Sequence, residues 1–391
     1  MATNYDQRST TAGNRKPSGK TAKAKKNKMT KIVIFTVELL VIAVMLGVLY
    51  VVTRVTKTDE SGMKIEVIDK GNLAIPQEIV DNEVMKGYTN IALFGVDISK
   101  EKTDAEGNVI GLLPAGTLRD SGLLKGFRSD TIMIASINQD TGDIKLVSVY
   151  RDTFLNIGDS YSKCNGAYAK GGAEQAVKML NTNLDMDIED FVTVSYWALI
   201  EVIDALGGVY IDIDKKELPY LNDYGLSISW TMDVPYEPVA APGYQLVSGI
   251  QAAGYCRIRA IGNDFGRTER QREVLKSIET QAKGTDLNKL LTAFENAQRD
   301  IYTSLQPDEI VSLISKIGNY RIAEEGGFPL MENLSTKNMG AKGSCVVPED
   351  LESNVKWLHE FLFNDQDYTV TGNVKEYSEY IKSFSAKYPN Q

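Results

Sequence analysis

Residues 32–52, IVIFTVELLVIAVMLGVLYVV, run for 21 residues with Glu38 as the one charge. An α-helix needs about 20 apolar residues to cross a bilayer, whereas a signal-peptide core is about 7–15 residues long and ends at a small-residue cleavage site. No such site follows here, so the stretch predicts a transmembrane signal anchor. The 31 residues before it hold seven lysines and two arginines against the single acid Asp6. Basic flanks stay in the cytoplasm, which sends residues 53–391 outside and makes the chain a single-pass, N-in membrane protein. Glu38 lies near the inner end, within reach of headgroups or a partner helix.

The tail 1–31 carries a net charge of +8 and the whole chain −9, which leaves −17 on the remainder. A folded part this acidic excludes nucleic acid as its natural partner. Three cysteines, Cys164, Cys256 and Cys345, are odd in number and widely spaced, so they read as buried thiols without a disulfide framework. His359 is the one histidine. That count rules out a zinc site built from several histidines, and no nucleophile-elbow motif supports a serine-histidine triad.

The polar, lysine-rich residues 1–31 are predicted to be a disordered cytoplasmic tail and residues 53–87 an extracellular stalk. The folded domain is expected over 88–364, followed by a polar C-terminal tail, 365–391. YTNIALFGVD predicts a strand ending at Asp97, and 99–127 a surface loop. In RSDTIMIASINQDTGDIKLVSVYRDT two β-branched runs flank turn residues, the signature of a hairpin whose second strand runs into Arg151 and Asp152. AEQAVKMLNTNL has helical spacing and GGVYIDID reads as a strand. YCRIRAIG alternates like a strand, with Arg257 and Arg259 on one face. Residues 286–318 read as helices, and VPEDLESNVKWLHEFLF as the last helix.

DFGRTERQREVL, residues 264–275, is the most charged of the helical segments. At about 100° per residue, Arg267, Gln271, Val274 and Ile278 share one stripe, while Glu269, Arg272, Glu273 and Lys276 share the opposite one. A guanidinium buried beside Val274 and Ile278 requires a partner, either a protein carboxylate such as Asp264 or a bound anion. Asp97, Arg128, Asp130, Arg151, Asp152, Arg257, Arg259, Asp264, Arg267 and Gln271 all fall at strand ends or on this stripe. Five arginines against four acids invert the balance of the chain, and arginine binds phosphate through a planar fork. Asp97 and Asp130 suit a magnesium ion sharing phosphate oxygens, or equally ion pairs with the arginines. Periodicity alone leaves both readings open.

In the order GVD (95–97), RSDTIMI (128–134), SVYRDTF (148–154), KCNGAYAKGG (163–172), ALGGVYIDI (205–213) and CRIRAIGNDFGRTERQREVL (256–275), the chain resembles the LytR-CpsA-Psr family of cell-wall assembly proteins. The resemblance implies an α/β domain with a mixed central β-sheet flanked by helices, following one transmembrane helix. It also implies an extracellular enzyme on the membrane of a Gram-positive bacterium. Such a transferase moves a glycosyl phosphate of teichoic acid, capsule or a similar polymer from a polyprenyl-pyrophosphate carrier to peptidoglycan. The implied pyrophosphate ligands are Arg128, Arg151, Arg257, Arg259, Arg267 and Gln271, with Asp97 and Asp130 as ligands of Mg²⁺ or Mn²⁺. Tyr150 stands where the family has proline, Cys164 and Gly166 depart from its usual residues, and Leu155 replaces a further arginine of some members.

The expected chemistry is phosphoryl transfer stabilised by positioned positive charge, with no protein nucleophile. Arg151, Asp152, Asp264 and Arg267 are its expected catalytic group. Asp152 and Asp264 either orient the acceptor hydroxyl or pair with Arg151 and Arg267. Two other functions fit the same residues: a hydrolase using water as acceptor, and a non-enzymatic receptor or envelope regulator that only holds the lipid-linked polymer.

Overall fold

The computed structural model describes residues 68–96, 128–297 and 300–390, together with the backbone of Lys64–Ile65, Glu101–Thr103 and Val109–Leu112. The predicted tail 1–31, the span 32–52, Asp97 and most of the 99–127 loop lie outside the described residues. Among the described residues, no helix is long and apolar enough to cross a membrane.

The strands, in chain order, are β1 (Lys64–Ile65), β2 (Tyr88–Val96), β3 (Glu101–Thr103), β4 (Val109–Leu112), β5 (Ser129–Asn138), β6 (Asp143–Val149), β7 (Phe154–Asn156), β8 (Tyr161–Lys163), β9 (Asp190–Ser195), β10 (Val209–Ile213), β11 (Gly243–Val247), β12 (Ile301–Thr303), β13 (Arg321–Phe328), β14 (Leu334–Asn338) and β15 (Ser344–Pro348). Seven of them form one sheet in the order β1-β12-β9-β2-β5-β6-β13. Parallel pairs (β2 with β9, β6 with β13) mix with antiparallel ones (β2 with β5, β5 with β6), as the predicted fold class requires. The β5–β6 hairpin turns where expected, with Asn138 accepting from the backbone amides of Asp140 and Thr141.

The helices of seven or more residues are α1 (Asn165–Leu184), α2 (Tyr196–Leu206), α3 (Leu218–Met232), α4 (Gly249–Tyr255), α5 (Asn263–Lys283), α6 (Leu287–Ala297), α7 (Pro307–Ser315), α8 (Leu351–Phe363) and α9 (Gly372–Ser385). One core joins Phe94, Ile132 and Ile134 of the sheet to Val177 and Leu180 of α1, Val355 and Leu358 of α8, and Val374 and Ile381 of α9. A second gathers Ile211, Tyr255, Ile258 and Val274 around the β10–β11 ribbon. Helix α5 carries the predicted inward stripe: Arg267, Gln271 and Val274 are buried. Its supposed outward stripe is wrong at Arg272, which is buried and donates to Ser148 Oγ on β6 at 2.7 Å. Helix α5 is thus covered on two sides, and the stripe opposite Arg267 includes a buried cation.

The structure corrects four further expectations. Residues 68–87 do not form a stalk, because Leu73, Ile79 and Met85 are buried in the main core. The alternation of YCRIRAIG is not a strand: Tyr255 ends α4, and Arg257 and Ile258 follow in turns that bond back to Gly254 and Tyr255. A strand, β12, interrupts the expected helices of 286–318. The polar tail is largely α9, and α8 is therefore not the last helix. Helix α9 has a narrow apolar stripe, too sparse to stand out in composition but buried by packing.

The segment leading into α9 is pinned by Asp185. Its buried carboxylate accepts from the Tyr368 hydroxyl at 2.9 Å, the Thr371 amide at 2.8 Å and the Thr371 hydroxyl at 2.7 Å. His359 stacks on Tyr368 with ring centroids 3.5 Å apart, and its Nε2 lies 3.0 Å from the Leu184 carbonyl. Burial pushes its imidazole down to about 4. The folded-state value lies below the ordinary one, so His359 contributes its full stability above about pH 6.5 and loses it as the pH falls toward 4. Between pH 7.5 and 4.5 this loss is expected to be about 2 kcal/mol, and denaturant melts of His359→Gln should show a pH dependence shallower by that amount. Equal slopes for the two proteins would show that His359 is not the titrating group.

Candidate functional site

One end of the sheet carries the charged residues. β2 and β9 run parallel and end side by side, Val96 opposite Ser195, while β5 starts there antiparallel, with Ser129 opposite Val96. Asp130, two residues along from Arg128, therefore sits next to the exit of β6, where Tyr150 and Arg151 follow. A Cβ on Gly95 would meet the Thr131 Cβ at 2.9 Å, so this approach of β2 to β5 needs glycine. Gly262, at φ +74°, turns the chain into α5 and aims its first turn at the same place.

The loop bearing Arg151 is held from behind. The Cys164 thiol donates to the carbonyls of Tyr150 (3.2 Å) and Arg151 (3.3 Å), and the Asn165 amide donates to the Arg151 carbonyl at 3.1 Å. Cys164 thus belongs to the loop's support, and burial pushes its thiol well above the ordinary range. The Tyr150 ring packs edge-on against Phe265 of α5, centroids 4.5 Å apart. Leu155 is fully buried in the main core, so this departure lies in packing.

Arg151 pairs with the Asp130 carboxylate, and its Nε lies 3.4 Å from Asp264 Oδ1 and 3.8 Å from Asp152 Oδ2. Asp264 Oδ1 lies 2.8 Å from Arg267 Nη2, which also donates to the Asp130 carbonyl at 2.7 Å. Lys163 closes the chain with a 2.9 Å contact to Asp152 Oδ1. Burial opposes the charge of Arg151, but Asp130, Asp264 and Asp152 outweigh it and hold the guanidinium above its ordinary range. Burial raises the Asp264 carboxyl against the pull of Arg267 and Arg151, and lowers Arg267, whose side chain is 3% exposed. The acids pair with the arginines, yet cations remain in excess.

Asp130, Arg151, Tyr196, Tyr224, Arg257, Arg259 and Arg267 line a cavity of about 190 Å³. Arg257 lies over two aromatic faces, 5.2 Å from the Tyr196 centroid and 5.8 Å from that of Tyr224. Arg259 Nη2 is 3.9 Å from Asp130 Oδ2. Among the described residues, the buried Nε atoms of Arg151 and Arg267 and Gln271 Oε1 have no hydrogen-bond partner. Four guanidiniums around one cavity with a single lining carboxylate are the signature of an anion site. Beside it, a mostly apolar pocket of about 220 Å³ is lined by residues including Leu93, Met133, Val194, Leu199 and Val274, and it shares Asp130 and Tyr196 with the arginine cavity.

Of the sequence-predicted residues, Asp130, Arg151, Arg257, Arg259 and Arg267 converge on the cavity. Asp152 and Asp264 stand behind them, and Gln271 lines the apolar pocket, its amide donating to the Cys256 carbonyl at 3.4 Å. Arg128 does not join them: it is exposed and lines neither pocket. Lys163, Tyr196 and Tyr224 were missed. Lys163 stood in a block already quoted; the tyrosines carried no signal beyond their positions at a strand exit and on a helix. Among the described residues no group of three or more histidines, cysteines, aspartates or glutamates is placed to hold a metal ion, Asp130 is engaged by Arg151, and Asp97 lies outside the described residues. One carboxylate does fit the one or two that Mg²⁺ takes from a protein when phosphate oxygens and water complete its shell.

The model of the LytR_cpsA_psr family matches residues 49–325. This chain belongs to that family. It is 26% identical over 273 residues to the polyisoprenyl-teichoic acid–peptidoglycan teichoic acid transferase TagU of Halalkalibacterium halodurans, covering 67% of this chain and 74% of that protein. It is 26% identical over 193 residues to the transferase of the same description, TagV, of Bacillus subtilis, covering 48% of this chain and 47% of TagV. The match thus spans about half of TagV. The crystal structure of protein gbs0355 from Streptococcus agalactiae superposes with a TM-score of 0.56 at 19% identity, over 75% of this chain and 93% of that one, and supports the fold. Four arginines line the cavity of this LytR_cpsA_psr protein.

Arg267→Ala should weaken binding of inorganic pyrophosphate by about tenfold or more, since a charge-assisted contact contributes roughly 1.5–3 kcal/mol. Arg128→Ala should stay within about twofold, as expected for an exposed charge. Isothermal titration of the full chain decides it, and equal losses would return Arg128 to the site.

Proposed function

We propose that this protein transfers a glycosyl phosphate from a polyprenyl-pyrophosphate carrier to peptidoglycan. The observation that carries this reading is the pairing of an arginine-lined cavity with an adjoining apolar pocket, a geometry complementary to an amphiphile with an anionic head and a hydrocarbon tail. The descriptions of TagU and TagV as teichoic acid transferases support the same reaction class. In this reading the span 32–52 anchors the chain, with the basic tail in the cytoplasm and the domain outside.

In the reaction, a sugar hydroxyl of the acceptor attacks the phosphorus bearing the saccharide. The new O–P bond forms as the bond to the bridging oxygen breaks, polyprenyl phosphate leaves, and the hydroxyl proton passes to solvent or to a carboxylate. Arg151, Arg257, Arg259 and Arg267 bind the pyrophosphate oxygens and stabilise the charge that moves to the bridging oxygen. Asp264, between Arg151 and Arg267, holds the two guanidiniums in fixed relation, and Asp152 with Lys163 does the same from the loop side. Gln271 lines the apolar pocket that takes the tail. Mg²⁺, or Mn²⁺, would be held by Asp130 and by Asp97, which lies outside the described residues, and when bound would supply further charge neutralisation.

The full chain, given a polyprenyl-pyrophosphate saccharide, Mg²⁺ and oligomeric peptidoglycan, should place labelled sugar phosphate on the glycan. Arg267→Ala should reduce transfer by about a hundredfold, the scale of losing one preorganised charge contact, and chelation of the metal should abolish it. Free glycosyl phosphate formed without acceptor would identify a hydrolase. Tight lipid binding with no transfer would identify a receptor.

A further inference from the structure

Tyr196 occupies a position that the charged residues do not. It is the first residue of α2 and directly follows Ser195, whose backbone is held opposite Val96 by the sheet and whose side chain caps the helix at Ala198. Its backbone is therefore fixed by both a strand register and a helix terminus. Arg257, by contrast, stands in the turns between α4 and α5, outside regular structure. Its guanidinium carbon lies 5.2 Å from the Tyr196 centroid. The same tyrosine lines both the arginine cavity and the apolar pocket, and the other residue common to the two is Asp130.

We propose that Tyr196 is a positioning residue that couples the two cavities, holding Arg257 toward the anionic head of the ligand while forming the wall past which the apolar tail runs. The inference rests on the reading of the ligand as a prenyl pyrophosphate. Arg257 attracts phosphate oxygens, so the head is directed toward the Tyr196–Arg257 side of the junction and the tail away from it. A tail lying against Tyr196 fixes the ring, and the ring fixes the guanidinium. Tail binding and head binding then reinforce each other, as expected when one ordered element serves both. The contact to Arg257 is made by the ring face, so phenylalanine should replace tyrosine in holding the guanidinium and alanine should not.

The test is titration calorimetry of the full chain with inorganic pyrophosphate and with geranylgeranyl pyrophosphate, comparing the natural protein, Tyr196→Phe and Tyr196→Ala, with melting curves to establish that each is folded. Tyr196→Phe should keep both affinities within about twofold. Tyr196→Ala should weaken pyrophosphate about threefold and the prenyl ligand about thirtyfold, so that the gain from the tail shrinks about tenfold. Equal losses on the two ligands, affinities unchanged in Tyr196→Ala, or a Tyr196→Phe variant as weak as alanine would each overturn the coupling while leaving the proposed function standing. Failure of the natural protein to bind either ligand would overturn the proposed function, and this inference with it.

Discussion

Crowding of like charge at one end of the sheet governs this structure. Arg151, Arg257, Arg259 and Arg267 meet at a small cavity, and Arg267 is almost fully removed from water. A guanidinium so placed is tolerated because Asp264 faces it at 2.8 Å and the Asp130 carbonyl accepts from it at 2.7 Å. Asp264 is itself buried between two arginines, and its raised carboxyl shows that the pairing only partly offsets its loss of solvent. The arrangement is preorganised and still presents four arginines to the cavity.

Much of the remaining architecture keeps these residues in place. The mixed sheet brings the ends of β2, β9 and β6 beside the start of β5. Cys164 and Asn165 pin the Arg151 loop to the start of α1, and the Val346 amide of β15 donates to the Asp152 carbonyl at 3.0 Å. Helices α8 and α9, near the C-terminus, complete the core that supports this loop, with Phe384 stacked on Phe154. Residues beyond the family match at 325 thus bear on the loop that carries Arg151.

How far the sequence was legible depended on the range of the physics involved. The β5–β6 hairpin and the inward stripe of α5 were readable because turn chemistry and helical period are local. The strand reading of YCRIRAIG failed because alternation over a few residues also fits a helix end followed by turns, and packing chose the latter. Arg257 and Arg259 reached the site by a different backbone route from the one expected. Arg272 was misjudged because one helix face can be solvated or can meet a second layer, and its own pattern does not distinguish the two.

Within one segment, the sequence determined which residues share a face: Arg267 with Gln271 and Val274, and Asp130 near the start of a strand. It also determined the excess of arginine over acid among the site residues, and the order of motifs that marks the family. Only the tertiary structure decided that Arg151 and Arg267 share Asp264, that Arg128 stays outside, and that Tyr196 joins a charged cavity to an apolar one. Periodicity is set by backbone geometry over a few residues, whereas convergence is set by strand register and by the burial of whole helices against the sheet.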